Sequence, residues 1–458
     1  MICFLTSKTD LPEMEDVLNP SNRFIDELRL RFPKPCRALY ISSDPDDPEA
    51  TDFYSGKLKE SLREAGFRFQ LFRTLDGRNE RQAAKLVKNS NLLVLTGGHV
   101  PTQNRFFRKI GLRELLKDFP GVIIGISAGS MNSADVVYAQ PELDGEAVDP
   151  DYQRFLPGLG LTKTMLLPHY QEVKDAILDD QRLFEDITCS DSEGRTFYAI
   201  PDGSYLFIES GREELRGEAY RISEGIITQI TGEDEIYPLS ELRSRIQKTE
   251  AFLKQKYDSG KYLSAHPDAK AYRLEHTYRV ANIGRRIALR EGFDETEMVI
   301  ACLLHDISYC EEFGESGWKE HGRLSARIAR PFLEGLGLPE DRINDICYGI
   351  AIHVDDEADF PGEKTAFALS VGDADNIDRF DAFRIHEMLS RDGFLEKSLE
   401  EKLEYARKRY TRLCELMEMP MATEAAEEMW RERVSFSAAF YEKLIEQLRS
   451  SHNILTAL

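Results

Sequence analysis

Up to about residue 125 this chain alternates short apolar runs with amphipathic stretches, and beyond about residue 262 strand signals vanish. That change of period constrains the fold more than any other feature. Ile2–Leu5, Ala38–Ile41, Phe67–Phe72, Leu92–Leu95 and Val122–Ile126 read as strands, and Arg23–Phe32, Asp52–Ala65, Glu80–Lys88 and Gln103–Leu116 between them read as helices. Such alternation is the pattern of a parallel sheet with helices on its faces. Further on, Phe197–Ile200, Ser204–Ile208 and Ile226–Ile230 are short, β-rich and punctuated by turns, so they are expected to complete the sheet as antiparallel strands. A charged helix over Leu239–Tyr257 leads to Asp258-Ser259-Gly260, after which amphipathic helices continue. The expected architecture is an α/β domain over 1–240, a helical linker over 241–261 and an all-α domain over 262–458.

With 458 residues the chain is long enough for two domains, each with a full core. A net charge of −22 argues against a surface that follows nucleic-acid backbone, while a small nucleotide held through a metal stays compatible. The seven cysteines are scattered without C-x-x-C spacing, several within apolar runs, as expected of reduced thiols in the cytoplasm. The start, Met1-Ile2-Cys3-Phe4-Leu5-Thr6, reads as a first strand rather than a signal peptide, and no apolar run reaches the roughly 18 residues of a membrane span.

Gly121-Val-Ile-Ile-Gly125-Ile126-Ser127-Ala128-Gly129-Ser130 is a buried strand running into a Gly-x-Ser-x-Gly turn, with a helix expected from Met131. A strand–turn–helix of this kind exposes the serine hydroxyl at the carboxyl edge of a sheet, which makes Ser127 a candidate nucleophile. Thr96-Gly97-Gly98-His99 follows the preceding strand, so the amides of this turn and of Ala128 are candidates for an oxyanion hole. His169, at the end of Leu166-Leu167-Pro168-His169-Tyr170, is the candidate base. His99 reads as a loop residue near the site.

On Gly97-Gly98, Gly125-x-Ser127-Ala128-Gly129 and Pro168-His169, residues 1–235 resemble the peptidase E (aspartyl dipeptidase) and cyanophycinase family. The resemblance implies a class I glutamine amidotransferase-like α/β fold with serine in place of cysteine. It also implies an acidic third triad member about fifteen positions after the serine. Glu142 is the expected residue, with Asp144 and Glu146 as close competitors.

In the second half, Ala301-Cys302-Leu303-Leu304-His305-Asp306-Ile307 ends an apolar helical run in two ionisable residues. A divalent ion is the usual reason, because coordination compensates the desolvation of carboxylate and imidazole. His276 shares a helical stripe with Val280, Ile283 and Ile287; His305 follows Met298 and Ala301 on a helix opened by Asp294 and Glu297. His353 continues Ile343, Ile346 and Ile350, and Asp373 continues Ala366 and Leu369 before Ile377. A single buried histidine is usually a satisfied core residue, whereas several in one domain, accompanied by aspartates, point to a metal. His266, His386 and His452 lie off the pattern.

This arrangement resembles the HD superfamily of metal-dependent phosphohydrolases over 262–385. The family's H…HD…D set corresponds to His276, His305, Asp306 and Asp373, and His321 and His353 match the extra histidines of members that hold two metals, with Asp306 bridging. Mixed imidazole and carboxylate ligands favour Mn, Fe, Co, Ni or Zn, as one or two ions, over an oxygen-ligated Mg. Such an ion would lower the pKa of bound water and polarise a phosphoryl oxygen. Where many members read HD-x-G-K, this chain reads His305-Asp306-Ile307-Ser308-Tyr309, without the lysine, and Arg279, Arg323 or Arg379 are candidates to replace it.

The expectation is a cytoplasmic hydrolase with two sites. One hydrolyses a small phosphorylated metabolite or nucleotide; the other performs serine-dependent hydrolysis of a peptide or amide. In an alternative reading the first domain is a non-catalytic ligand-sensing or assembly module for the second. Neither bulk nucleic acid nor membrane is an expected partner, and an oligomer is compatible with the sequence. The helices Leu399–Leu416 and Ala425–Leu448 are expected to cover the all-α core or a partner surface.

Overall fold

The structure is a computed structural model, which describes residues 1–11, 14–311 and 319–451; His452 lies outside them. The chain divides into two compact units, Met1–Glu241 and Leu242–Leu458.

The first unit is built on an eight-stranded sheet. From one edge its strands run Ile236–Tyr237, Arg212–Arg216, Tyr205–Glu209, Ile2–Thr6, Val122–Ile126, Leu92–Leu95, Arg37–Ile41 and Leu71–Leu75. The five strands from Ile2–Thr6 to Leu71–Leu75 pair in parallel, and the remaining three pair antiparallel. The parallel strands are continuous apolar runs because helices bury both faces. Cys3, Leu5, Leu39, Ile41, Leu93, Leu95 and Ile123 join the core on one side. The alternate residues Phe4, Ala38, Tyr40, Leu92, Val94, Val122 and Ile124 join the core on the other.

Two strand expectations need correction. The run read at Phe67–Phe72 pairs further along, as Leu71–Leu75 against Arg37–Ile41. Of the strands expected to finish the main sheet, only Tyr205–Glu209 enters it. Thr196–Ala199 and Ile226–Thr231 lie instead in a separate four-stranded sheet with Met165–Leu167 and Ala219–Ser223. The turn Pro201-Asp202-Gly203, with Gly203 at φ +93°, carries the chain from the small sheet to the large one, so two adjacent β-runs serve different sheets.

The second unit is helical, with the main helices Pro267–Glu291, Glu295–Leu304, His321–Glu334, Glu340–Ile352, Ala366–Asp378, Ala382–Arg391, Leu399–Leu416 and Glu424–Arg449. Asp294 caps its helix by accepting the Glu297 N–H at 2.8 Å. The segment expected as a linker is the helix Leu239–Ser259, and its residues Leu253 and Tyr257 are buried in the second unit's core. The two C-terminal helices belong to the same core, through Ala406, Leu413, Trp430, Val434 and Ala438. Six cysteines are buried and Cys414 is exposed; all are free thiols. Among the described residues no helix is long and apolar enough to cross a membrane.

Candidate active site and candidate metal centre

Ser127 ends the central strand Val122–Ile126 and precedes the short helix Ala128–Met131, at φ +49° and ψ −115°. An L-residue reaches this region only when the surroundings force it. They do so on both sides. A Cβ on Gly125 would press on Leu5 and Ser130, and one on Gly129 would collide with the Leu95 carbonyl. The Ser127 N–H donates to the Thr6 carbonyl at 3.0 Å.

The hydroxyl so presented lies 2.9 Å from His169 Nε2. His169 follows the strand Met165–Leu167, and its Nδ1 faces Asp202 Oδ1 at 2.9 Å. Ser7, just past the strand Ile2–Thr6, ties the arrangement together. Its hydroxyl donates to Asp202 Oδ1 at 2.6 Å and accepts the His169 N–H at 2.7 Å. Burial alone would raise the Asp202 pKa. Hydrogen bonds from His169 and Ser7, with the charges of His169 and Lys8, bring it below the usual carboxylate range. Ser127, His169 and Asp202 therefore form a continuous hydroxyl–imidazole–carboxylate line.

Glu142, expected as the acidic member, is not part of that line. It is exposed, and its N–H donates to Glu146 Oε2 at 2.9 Å. Asp144 is exposed as well. Glu146 Oε1 meets His99 Nε2 at 2.9 Å, so this acid serves a neighbouring histidine. Counting positions from the serine misses Asp202 because the carboxylate comes from a turn 75 residues further on, between strands of different sheets. The only hint was the Pro-Asp-Gly turn itself. Gly97 backs onto Ser127: a Cβ placed on it would stand 3.3 Å from the serine Cβ. Gly98 adopts φ +143° and packs on Ser43. A cavity of about 530 Å³ opens beside this turn, walled by Gly97, Gly98, Ile126, Lys8, Tyr40 and Ser43.

In the second unit the expected histidines converge. His276, His305 and Asp306 offer ligand atoms to one point, and Asp306, His321 and His353 to another, so Asp306 is common to both groups. Asp306 Oδ2 lies 3.6 Å from both His276 Nε2 and His305 Nε2. Its Oδ1 lies 3.3 Å from His321 Nε2 and 3.7 Å from His353 Nε2. Tautomers follow from the other ring nitrogens. His305 Nδ1 faces the Cys302 carbonyl and His353 Nδ1 the Ile350 carbonyl, each at 2.7 Å, so both must donate there and leave Nε2 as a lone pair. His305 Nε2 is buried without a hydrogen-bond partner, and burial pushes this ring's pKa down to about 4. For His276 the burial penalty is outweighed by Asp375 and Asp378, which push its pKa up to about 9. Asp306 is held well below the usual range: burial opposes ionisation, but His305, His321, His353 and Arg273 overcome it.

The carboxylate that completes this cluster is Asp375, not Asp373. Asp375 Oδ1 lies 3.2 Å from His276 Nε2, whereas Asp373 Oδ2 accepts the Ala422 N–H at 2.8 Å. Positions two apart on a helix diverge by about 200°, so one side chain of the pair must leave the cluster. The inward stripe of this helix is Ala368, Val371, Asp375 and Asp378, all buried, while Ala366 is exposed. Asp378 takes a supporting place. Its Oδ2 faces His276 Nδ1 at 2.8 Å and its Oδ1 accepts from Arg279 Nε at 2.8 Å, which leaves His276 Nε2 for the centre. The Val371, Asp375, Asp378 spacing was the available signal.

Of the arginines weighed for the absent lysine, Arg279 is committed to Asp378 and Arg323 to Glu320 and Asp355. Arg379 Nη2 reaches Asp375 Oδ2 at 2.5 Å with its side chain half exposed. Arg273, not weighed from sequence, donates to Asp306 Oδ2 at 2.8 Å and lies over the Tyr309 ring. The donor set fits a divalent metal: four imidazoles and ionised carboxylates meet in a buried pocket, and the His305 Nε2 has no other partner.

The family comparisons fall on these two sites. Residues 39–216 match peptidase family S51, a span that includes Ser127, His169 and Asp202. Residues 273–382 match the HD domain, a span that includes all of the clustered histidines together with Asp306, Asp375 and Asp378. The chain is a two-domain hydrolase.

Its solved relatives each resemble one part. A protein of an uncultured Thermotogales bacterium described as an HD superfamily hydrolase is 21% identical, with 46% of this chain and 99% of that one covered and a TM-score of 0.32. A protein of Listeria monocytogenes EGD-e described as a peptidase E is 17% identical, with 50% and 98% covered and a TM-score of 0.32. YpgQ of Bacillus subtilis, solved in complex with ADP, is 20% identical, with 45% and 96% covered and a TM-score of 0.32.

Proposed function

We propose that the HD domain hydrolyses the phosphoester of a small phosphorylated metabolite or nucleotide. What supports this most is the double convergence on Asp306, whose two oxygens face different pairs of histidines. That arrangement suits one or two transition-metal ions held by His276, His305, Asp306, His321, His353 and Asp375. When bound, such ions supply Lewis acidity toward a phosphoryl oxygen and a nucleophile at neutral pH. The residues of the chain do the positioning. Asp378 fixes the tautomer of His276, the Cys302 and Ile350 carbonyls fix those of His305 and His353, and Tyr257 donates to the Asp306 carbonyl at 3.1 Å. Half-exposed Arg379 takes the place of the absent lysine and faces the anionic oxygens of the substrate. The test is elemental analysis of the purified protein with a panel of phosphomonoesters and nucleotides, using Asp306→Ala as control. Metal and turnover should both disappear in the variant, and unchanged metal content would reject the assignment.

We further propose that the first unit hydrolyses a peptide or amide. Ser127 Oγ attacks the carbonyl while His169 Nε2 takes its proton, and the developing imidazolium is stabilised at Nδ1 by Asp202. The amides of Gly98 and Ala128 receive the oxyanion. A backbone strained to present one hydroxyl to a histidine already paired with a carboxylate favours catalysis over a purely sensing role. An aryl phosphonate should label the wild type and leave Ser127→Ala unlabelled; no labelling of the wild type would favour the sensing alternative.

A further inference from the structure

Beyond the end of the helix Ala366–Asp378, the helices Ala382–Arg391, Leu399–Leu416 and Glu424–Arg449 enclose a cavity of about 210 Å³. Its lining is unusual for a chain with a net charge of −22: four arginines, Arg379, Arg384, Arg409 and Arg412, against one acid, Asp381. Asp381 is directed elsewhere, with Oδ1 accepting the Ala382 N–H at 2.7 Å and Oδ2 facing Arg433 at 3.6 Å. The carboxylates that pair with the arginines, Asp375, Glu387, Asp392 and Glu415, all lie outside the lining. These pairs leave donor capacity over, since a guanidinium carries five N–H groups. The Arg409–Asp392 pair is long, at 3.5 Å.

Two further groups point to a missing acceptor. Arg384 Nε is a buried atom with no hydrogen-bond partner, and the Tyr441 hydroxyl is another, on a side chain only 3% exposed. Polar atoms buried in this way are costly to leave unpaired and are rarely retained without a role. Apart from Ser437, whose hydroxyl accepts the Asp381 N–H, the rest of the wall is apolar, formed by Phe380, Ile385, Met388, Leu413 and Leu416. The cavity thus has a cationic rim with unfilled donors and a greasy floor, which is the make-up of a small-ligand site.

We propose that this cavity binds a compact organic anion, a phosphate, phosphonate or carboxylate carried on a small apolar body. The oxyanion meets Arg384, Arg409 and Tyr441, and the body rests on Leu413, Ile385 and Met388. Arg379 lines this cavity and also holds Asp375, so the site adjoins the metal centre and shares this one arginine with it, while Arg384, Arg409 and Tyr441 belong to the cavity alone. The proposal does not depend on phosphoester hydrolysis by that centre.

The test is calorimetric titration of phenylphosphonate, which has no ester to cleave, into the full-length protein. The cavity site should be retained alike in wild type and in Asp306→Ala, where it is the one site left once the metal is gone, with inorganic phosphate binding there more weakly because it leaves the apolar floor uncovered. Loss of one charged hydrogen bond in Arg409→Gln should weaken binding about tenfold. Met388→Trp, which keeps every charge and fills the floor, should weaken it as strongly. Because one variant removes a charge and the other fills the floor, misfolding of either leaves its counterpart as the test. Absence of binding would overturn the proposal. So would binding that is abolished in Asp306→Ala and unaffected in both cavity variants, a result that would place the phosphonate at the metal centre.

Discussion

His321 and His353, 32 positions apart in the chain, point their Nε2 atoms at each other across 3.1 Å. With His353 Nδ1 committed to the Ile350 carbonyl, two imidazoles at this separation can share one proton or one cation. Chelation of the purified protein should therefore lower the melting temperature of the second unit while leaving that of the first unchanged. Asp306→Ala should melt where the chelated wild type does. Calorimetry with and without a chelator reads both.

The two neighbouring aspartates should separate cleanly. Asp375→Ala is expected to lose metal, since it removes the carboxylate that faces His276, whereas Asp373→Asn keeps an acceptor for the Ala422 N–H and should retain full metal content. Elemental analysis of the two variants decides between them, and retention by both would move the sixth ligand elsewhere.

For the serine site, Asp202→Asn is expected to slow phosphonate labelling by about 10⁴, the usual cost when the imidazole loses the carboxylate that fixes its tautomer. Glu142→Gln should alter the rate by less than about threefold, within the range of a solvent-exposed charge near a site.

Asp202 also carries a pH signature. Its pKa in the folded protein is lowered, so the stability it contributes is fully present above its ordinary value and is lost as pH falls through the folded value. The melting temperature of Asp202→Asn should accordingly lie below that of the wild type at neutral pH, and the gap should close in acid. A gap that stays constant with pH would show that this carboxylate is not held ionised by its neighbours.

Strain at Ser127 gives a further expectation. Its dihedrals cost of order 1–3 kcal/mol for an L-residue, and glycine would relieve them at about 1 kcal/mol of added chain entropy. Ser127→Gly should thus be inactive as a serine hydrolase yet more stable than wild type by about 1 kcal/mol, measurable by chemical denaturation.

The residues that were legible in the sequence share one property: their signals are local. The strand into Gly125-x-Ser127-x-Gly129, the apolar helix into His305-Asp306 and the helix opening at His321 each announce themselves within ten residues. What stayed hidden depends on long-range placement. Asp202 reaches His169 only because a turn crosses between two sheets, and Arg273 acquires its place through Asp306, 33 residues on. The substitution of Asp375 for Asp373 is an error of helical phase. Leu369 and Ala366 suggest an inward stripe, but apolar residues on a short helix fix its rotation only when the whole buried set is known, and Ala366 is exposed.

The strand Ile2–Thr6 sits between Val122–Ile126 and Tyr205–Glu209, far from both in the chain, and delivers Ser7 to Asp202 and His169. Pairings of such sequence separation form late and slowly. On the ribosome this strand must wait for some two hundred residues before its second neighbour exists, and His169 has no carboxylate partner until Asp202 has emerged. A chain truncated before Asp202 therefore carries Ser127 and His169 without the group that orients them, so the order of translation sets when this site assembles.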